Sequence, residues 1–173
     1  FMYDDGKGLP QDDKTAVKWY ALGAEQGYAA AQSNLGFMYA NGEGVLQDDK
    51  AAVKWFTLAA EQRYADPQSD LAVSYSEGRG VPQDDKTAVK WYTFAAEQGY
   101  AAAQYNLGLK YADGRGVPQD YVYAHMWWNI AASQGHENAA KERDLVAKKM
   151  TSADISAAQK LARECVGKEY KGC

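Results

Sequence analysis

The residues in this sequence that could do chemistry are paired aspartates, two histidines, two cysteines and a set of glycine pairs. The aspartates occur as Asp12-Asp13, Asp48-Asp49 and Asp84-Asp85. Paired carboxylates can hold a metal ion or divide acid and base roles between them. Here they recur at one fixed step, each pair just ahead of a helix-forming run. That pattern reads as repeated helix N-caps, whose carboxylates accept the orphan N–H groups of a first turn. His125 and His136 have no ligand spacing between them and no thiol beside them, so neither is expected to bind metal or act in catalysis. The pairs Gly42-Glu43-Gly44, Gly78-Arg79-Gly80 and Gly114-Arg115-Gly116 could suggest a phosphate cradle. A dinucleotide fingerprint, however, follows a strand and opens a helix; these pairs follow helical runs and are expected to be turns. No cofactor, metal or catalytic residue is expected, and the chain is not expected to be an enzyme.

Cys165 and Cys173 both lie in the tail, with Gly167 and Gly172 between them. The glycines give the chain freedom to fold back. A disulfide would tie the C-terminus to the last helix and imply an oxidising compartment. The expected location is therefore periplasmic or secreted, with two free thiols in the cytoplasm as the alternative. Net charge is −4 with a pI near 5.2, which disfavours nucleic acid, because binding it needs clustered positive charge. No apolar run approaches the roughly 20 residues that a membrane span needs. Lys14, Lys18, Lys50, Lys54, Lys86 and Lys90 form a spaced basic ridge, most simply a solvated outer face.

The elements that position these residues come from a repeat. Trp19, Trp55, Trp91 and Trp127 each stand 36 residues after the one before, and Ala16, Ala52, Ala88 and Ala124 keep the same step. A fixed period in this range means a stacked array whose units bury a continuous core. One repeat domain over 1–173 is expected: a partial repeat 1–28, repeats 29–64, 65–100 and 101–136, and a C-terminal cap with its tail over 137–173. Phe1-Met2-Tyr3 aligns with Phe37-Met38-Tyr39, so the first unit lacks most of its leading helix and the chain reads as trimmed. The apolar end this leaves, with Trp19, could self-associate.

Each unit reads as helix, glycine loop, helix, turn, and eight helices are expected. In the 29–64 unit, Gln32, Leu35, Met38 and Tyr39 share one helical stripe, and Ala52, Trp55, Phe56 and Ala59 share the next. Gly42 stops the first helix and Asp48 caps the second. Val45 tucks under the loop. Glycine also closes the inter-unit turns at Gly27 and Gly99, where Arg63 replaces it at some cost if that position is left-handed. Asp66-Pro67 reads as a helix start, with Asp as N-cap and Pro at the first position. The fourth unit replaces charges with aromatics over 121–128, so its second helix should be more buried. Thr151-Ser152-Ala153-Asp154 reads as a capping box opening the last helix.

The order A-x-x-Q-x-N-L-G-x-x-Y, then G-x-G-V and A-x-x-W-Y, resembles the Sel-one-like repeat (SLR) family, a relative of the tetratricopeptide repeats with a longer unit. Leu35-Gly36 with Tyr39 and Leu107-Gly108 with Tyr111 carry the match, and Leu71-Ala72 departs from it. The resemblance implies an all-α, right-handed α-α superhelix that binds a protein or peptide partner. It implies that the first helix of each pair lines the concave face. The side opposite Leu35, at 100° per residue, then offers Ser33, Asn34 and Phe37. The equivalents are Ser69, Asp70 and Val73, then Tyr105, Asn106 and Leu109, then Lys141 and Leu145. The apolar rungs of such a ladder would contact an extended peptide and the amides its backbone. Some relatives are linked to cell-wall or β-lactam recognition. That chemistry calls for S-x-x-K and K-T-G strings, and neither occurs in this sequence.

Overall fold

A computed structural model describes residues 12–173. Among them are nine α-helices and no strand. The expected count of eight is one short, because seven repeat helices are followed by a capping pair. The chain divides into two compact units, Phe1–Gln83 and Asp84–Cys173. The proposed self-association end at Phe1-Met2-Tyr3 lies outside the described residues; Trp19, of the same end, is 60% exposed.

The first unit holds α1 (Asp13–Glu25), α2 (Ala29–Asn41), α3 (Asp49–Glu61) and α4 (Ala65–Glu77). Each helix packs on the next in sequence. Asp48 caps α3, its carboxylate accepting from the Lys50 and Ala51 N–H groups at 3.0 Å each. Gly42 ends α2 at φ 73°, in the left-handed region that a side chain would disfavour. Gly44, at φ 68°, has a second constraint: a Cβ there would fall on the Asp13 carbonyl of α1. Gly80 meets Asp49 of α3 in the same way. The second glycine of each loop therefore sets how closely one repeat approaches the one before.

Helix α4 differs from expectation. Its N-cap is Tyr64, with no side-chain cap bond, and Pro67 sits at the third helical position. Proline is tolerated there because first-turn N–H groups lack intrahelical partners anyway. Arg63 takes φ 68° without the glycine that the other turns use. Trp55 is only partly buried against the Ala16, Tyr20, Leu35 and Met38 cluster, with the Lys54 ammonium 5.2 Å above its ring. Val45 packs against the same cluster, as expected.

The second unit holds α5 (Asp85–Ala96), α6 (Ala101–Asp113), α7 (Tyr121–Ser133), α8 (Glu137–Ala147) and α9 (Ser152–Gly167). Helix α7 packs on α6, α8 and α9. Ala124, His125, Met126, Trp127, Trp128, Ile130 and Ala131 of α7 are all buried. This is the heavier burial that its aromatic sequence forecasts. The L-G pair works here as a socket: a Cβ on Gly108 would strike the Trp128 indole, whose Nε1 donates to the Tyr105 carbonyl at 3.0 Å. The Thr151–Asp154 capping box opens α9. Cys165 and Cys173 are bonded, with Cα atoms 5.5 Å apart. The bridged tail lies back on the α5–α6 turn, where the Gly172 N–H donates to Glu97 Oε1 at 3.0 Å.

One buried amide ties each turn to the helix after it. Gln32 donates to the Ala24 carbonyl at 3.2 Å, Gln68 to Ala60 at 3.0 Å and Gln104 to Ala96 at 3.2 Å. Each of these carbonyls lies in the last two residues of its helix and also accepts the N–H three residues on, from Gly27, Arg63 and Gly99 respectively. Gln62 then donates to Gln32 Oε1, and Gln134 to Gln104 Oε1, each at 2.8 Å. Gln104 is 0% exposed. A Gln104→Leu variant keeps the volume but leaves the Ala96 carbonyl with the Gly99 N–H alone and frees Gln134. It should lose about 1–3 kcal/mol of stability, the worth of the two hydrogen bonds removed. The exposed Gln134→Leu should cost less than about 1 kcal/mol. Urea unfolding midpoints of the two variants test this order.

Candidate functional site

The first helices of successive pairs meet at a junction that recurs in both units. In the first unit, α2, α3 and α4 enclose a small pocket of about 100 Å³. Phe37, Ala40, Phe56 and Val73 form its apolar walls; Asp49, Asp70, Ser74 and Arg79 supply its polar groups. In the second unit, α6, α7 and α8 shape a more open groove of about 820 Å³. Its apolar surface is Leu109, Ala112, Tyr121, Leu145 and Val146, with Glu142, Arg115, Lys148 and Lys149 around it. Phe37 and Leu109, Ala40 and Ala112, Asp49 and Tyr121, Asp70 and Glu142, Val73 and Leu145 stand two repeat lengths apart. The two cavities are one junction built twice. At the second, α8 is followed by Lys148 and Lys149 in place of the glycine loop that brings Arg79 to the first.

The expected ladder is placed unevenly. Phe37, Asp70 and Val73 come together around the first pocket, and Leu109 and Leu145 around the second groove. Phe37 and Leu145 are each 52% exposed. Ser33, Asn34 and Asn106 are partly buried and line neither cavity, and Lys141 is exposed outside both. Ser69 departs from the expectation: it is 5% exposed and does not present itself to a ligand. An interior helix of an array is covered on more than one side, so angle from the core residue alone does not fix exposure. Tyr105 is stacked on His136, ring centroids 4.7 Å apart. Arg115, Tyr121, Lys148 and Lys149 are not among the expected site residues. Stepping the Phe37 neighbourhood forward by two periods would have found Tyr121; the lysines follow no repeat.

Electrostatics separate the junctions. Asp70 makes no side-chain hydrogen bond or ion pair among the described residues. Burial, then the neighbouring Asp66, push its carboxyl up to about 6, while Arg79 pulls the other way. Arg79 is itself paired with Glu77 at 2.8 Å. In the second unit, Asp85 meets the Lys110 ammonium at 2.6 Å and the Arg115 guanidinium at 3.2 Å. Burial pushes Asp85 up, but these two cations hold it below the usual carboxylate range. Lys110 is 5% exposed, a buried cation made tolerable by its partner.

Neither histidine is placed for catalysis. His136 caps α8, its Nδ1 accepting from the Ala139 N–H at 3.2 Å. His125 is buried with Nδ1 unpartnered; burial, then Arg143, lower its pKa and keep the ring neutral. Among the described residues, no cluster of histidine, cysteine or acidic side chains is arranged to hold a metal. No helix among them is long and apolar enough to cross a membrane.

Comparison with known proteins gives a consistent answer. The Sel1 repeat family matches residues 1–28, 29–64, 68–100 and 101–136. The chain is similar to c5321, a protective antigen present in uropathogenic Escherichia coli strains and displaying an SLR fold. Identity is 34% and the TM-score 0.91, over 98% of this chain and 37% of the antigen. A Sel1 repeat protein from Oxalobacter formigenes is 38% identical at a TM-score of 0.73, covering 80% of this chain and 57% of that one. Helicobacter pylori cysteine rich protein B shares the fold at 21% identity and a TM-score of 0.60, over 79% of this chain and 98% of its own. No curated protein matches the chain. The chain thus spans little more than a third of the antigen and just over half of the Oxalobacter protein.

Asp70 gives a pH signature. Its folded pKa lies above the ordinary carboxyl value, so the native state holds this proton where the unfolded chain has released it. Its ionisation therefore costs stability as pH rises from about 4 through about 6. Asp70→Asn should stabilise the protein at pH 7.5 by on the order of 1–3 kcal/mol, with the difference vanishing near pH 4. His125 acts with the opposite sign. Its lowered pKa gives a contribution present above its unfolded pKa and lost on acidification. Urea melts of wild type against Asp70→Asn at the two pH values cancel that term and isolate Asp70.

Proposed function

The chain belongs to the Sel1 repeat family, and from that premise we propose that it is a non-catalytic scaffold holding a polypeptide partner along the first helices of its repeats. Proteins of this family are generally protein-interaction scaffolds, and the finer reading concerns where this one binds. The observation that carries it is the recurrence of the same junction cavity, two repeat lengths apart, with an exposed apolar side chain at each: Phe37 at the first and Leu145 at the second. Each cavity suits a polypeptide segment that offers it a side chain. Large apolar residues at the mouth of a partly enclosed cavity are the usual energetic anchors of such contacts.

The bonded Cys165–Cys173 pair supports an oxidising location, periplasmic or secreted, because such bridges persist there and are reduced in the cytosol. The identity of the partner is not encoded in the fold, since sites vary freely on a fixed frame.

The test is selection of peptides from a displayed random library on the intact protein, followed by affinity measurement on variants. Leu109→Ala with Leu145→Ala, both partly or largely exposed, should weaken the selected peptides by about tenfold or more, as loss of central anchors does, while circular dichroism stays unchanged. Phe37→Ala should act on peptides that reach the first pocket. Selected peptides that bind the folded variants as tightly as wild type would move the site off these helices.

A further inference from the structure

One repeat of this chain carries a group that another lacks at the same place. In the second unit, Asp85 opens α5 and is met by Lys110 from α6 and Arg115 from the following loop. One repeat earlier, in the first unit, the equivalents are Asp49, Ser74 and Arg79. The aspartate and the arginine are kept, and the lysine has become serine. Arg79 turns to Glu77 instead of to the aspartate. Where Lys110 fills its junction, the first unit has the pocket of about 100 Å³ lined by Asp49, Ser74 and Arg79. Asp70 joins them there, its carboxylate without a hydrogen-bond or ion-pair partner among the described residues, while its backbone carbonyl accepts from Ser74 Oγ.

We infer that the first-unit pocket receives a primary ammonium group on an alkyl stem, the side chain of a lysine from a bound polypeptide, placed where Lys110 places its own ammonium one repeat later. The inference rests on the polypeptide-binding reading for the source of the lysine, but not for the chemistry of the pocket. Geometry supports it in three ways. The missing Lys110 side chain accounts for a cavity of the right kind, since a lysine-to-serine change removes three methylenes and the ammonium. The walls at Phe37, Ala40, Phe56 and Val73 suit an alkyl stem, and the Phe37 face suits a cation passing over it. The floor carries Asp49 and Asp70 against the single cation Arg79, which is already engaged. Among the described residues, the charged groups about Asp70 are Asp49 on α3, Asp66 on α4 and Arg79 on the loop, and α2 contributes Phe37, Ala40 and Asn41. The raised pKa of Asp70 is what an unmet negative site shows; Asp85, with its lysine in place, is shifted the other way.

The experiment follows the Asp49 and Asp70 side-chain carboxyl carbons by NMR on the whole chain, with n-butylammonium as the lysine mimic and 1-butanol as its neutral counterpart. The ammonium should shift both carboxyl signals to saturation, with a dissociation constant on the order of 1–10 mM for so small a ligand, and the Asp70 titration midpoint should fall. The alcohol should do neither. Ser74→Lys, which restores the residue found at 110, should lower the Asp70 midpoint without any ligand and abolish the ammonium response. Asp70→Asn should abolish the response at Asp49 as well, in a protein whose helical signal is unchanged. An acetylated, amidated Ala-Lys-Ala tripeptide should bind more tightly than spermidine. Equal responses to the ammonium and the alcohol, or an Asp70 midpoint unmoved by Ser74→Lys, would overturn the ammonium site. Tighter binding of spermidine than of the tripeptide would overturn the polypeptide source. Because the mimic needs no selected peptide, failure of the peptide selection and failure of this pocket are separate results.

Discussion

The buried glutamine at the start of each first helix is the interaction on which the rest depends. A stack of helix pairs creates a difficulty at every turn: the closing carbonyls of one helix, met only by an N–H of the turn, keep a second lone pair pressed against the next helix. Gln32, Gln68 and Gln104 answer it by donating to the Ala24, Ala60 and Ala96 carbonyls from inside the core. The oxygens of Gln32 and Gln104 each accept an amide from the turn of the following repeat. One side chain thus satisfies its own turn and registers the next. At the corresponding position of α8 stands Ala140, and the array passes there into its cap.

Around this amide the remaining frame is steric. The second glycine of each loop lets the loop rest on the opening of the previous repeat's second helix, as Gly44 rests on Asp13, Gly80 on Asp49 and Gly116 on Asp85. The L-G glycines admit a ring from the partner helix, Phe56 at Gly36 and Trp128 at Gly108. A side chain at any of these points would push repeats apart, so the period survives in sequence even where the outward residues drift.

This explains what could be read from the sequence. Period, helix identity, aspartate caps, glycine stops, the capping box and the Cys165–Cys173 bridge follow from local rules and were legible. The start of α4 was not, because Asp66-Pro67 mimics an N-terminus that tertiary packing places two residues earlier, at Ala65. Trp55 and Trp127 hold the same repeat position, yet Trp127 is buried and Trp55 only partly so, a difference that the repeat period does not carry. The site was half legible. An angular argument found Phe37, Val73, Leu109 and Leu145, which ring the junctions, and also chose Ser69, which is buried. The charges that give each junction its character sit on other elements, Arg115 on a loop and Lys148 and Lys149 past the end of α8, and no periodicity points to them.

The account therefore separates a fixed frame from a few positions that decide what each junction accepts, with residues 74 and 110 as the clearest pair. The most direct measurement is made in the second unit rather than the first: n-butylammonium is titrated into a folded Lys110→Ser variant while the Asp85 carboxyl carbon is observed. The account predicts a saturable response at Asp85 in the millimolar range that wild type, with its own ammonium in place, does not give. A folded variant whose Asp85 signal ignores the ammonium would contradict it, and would mean that the junctions are not interchangeable sites set by one residue.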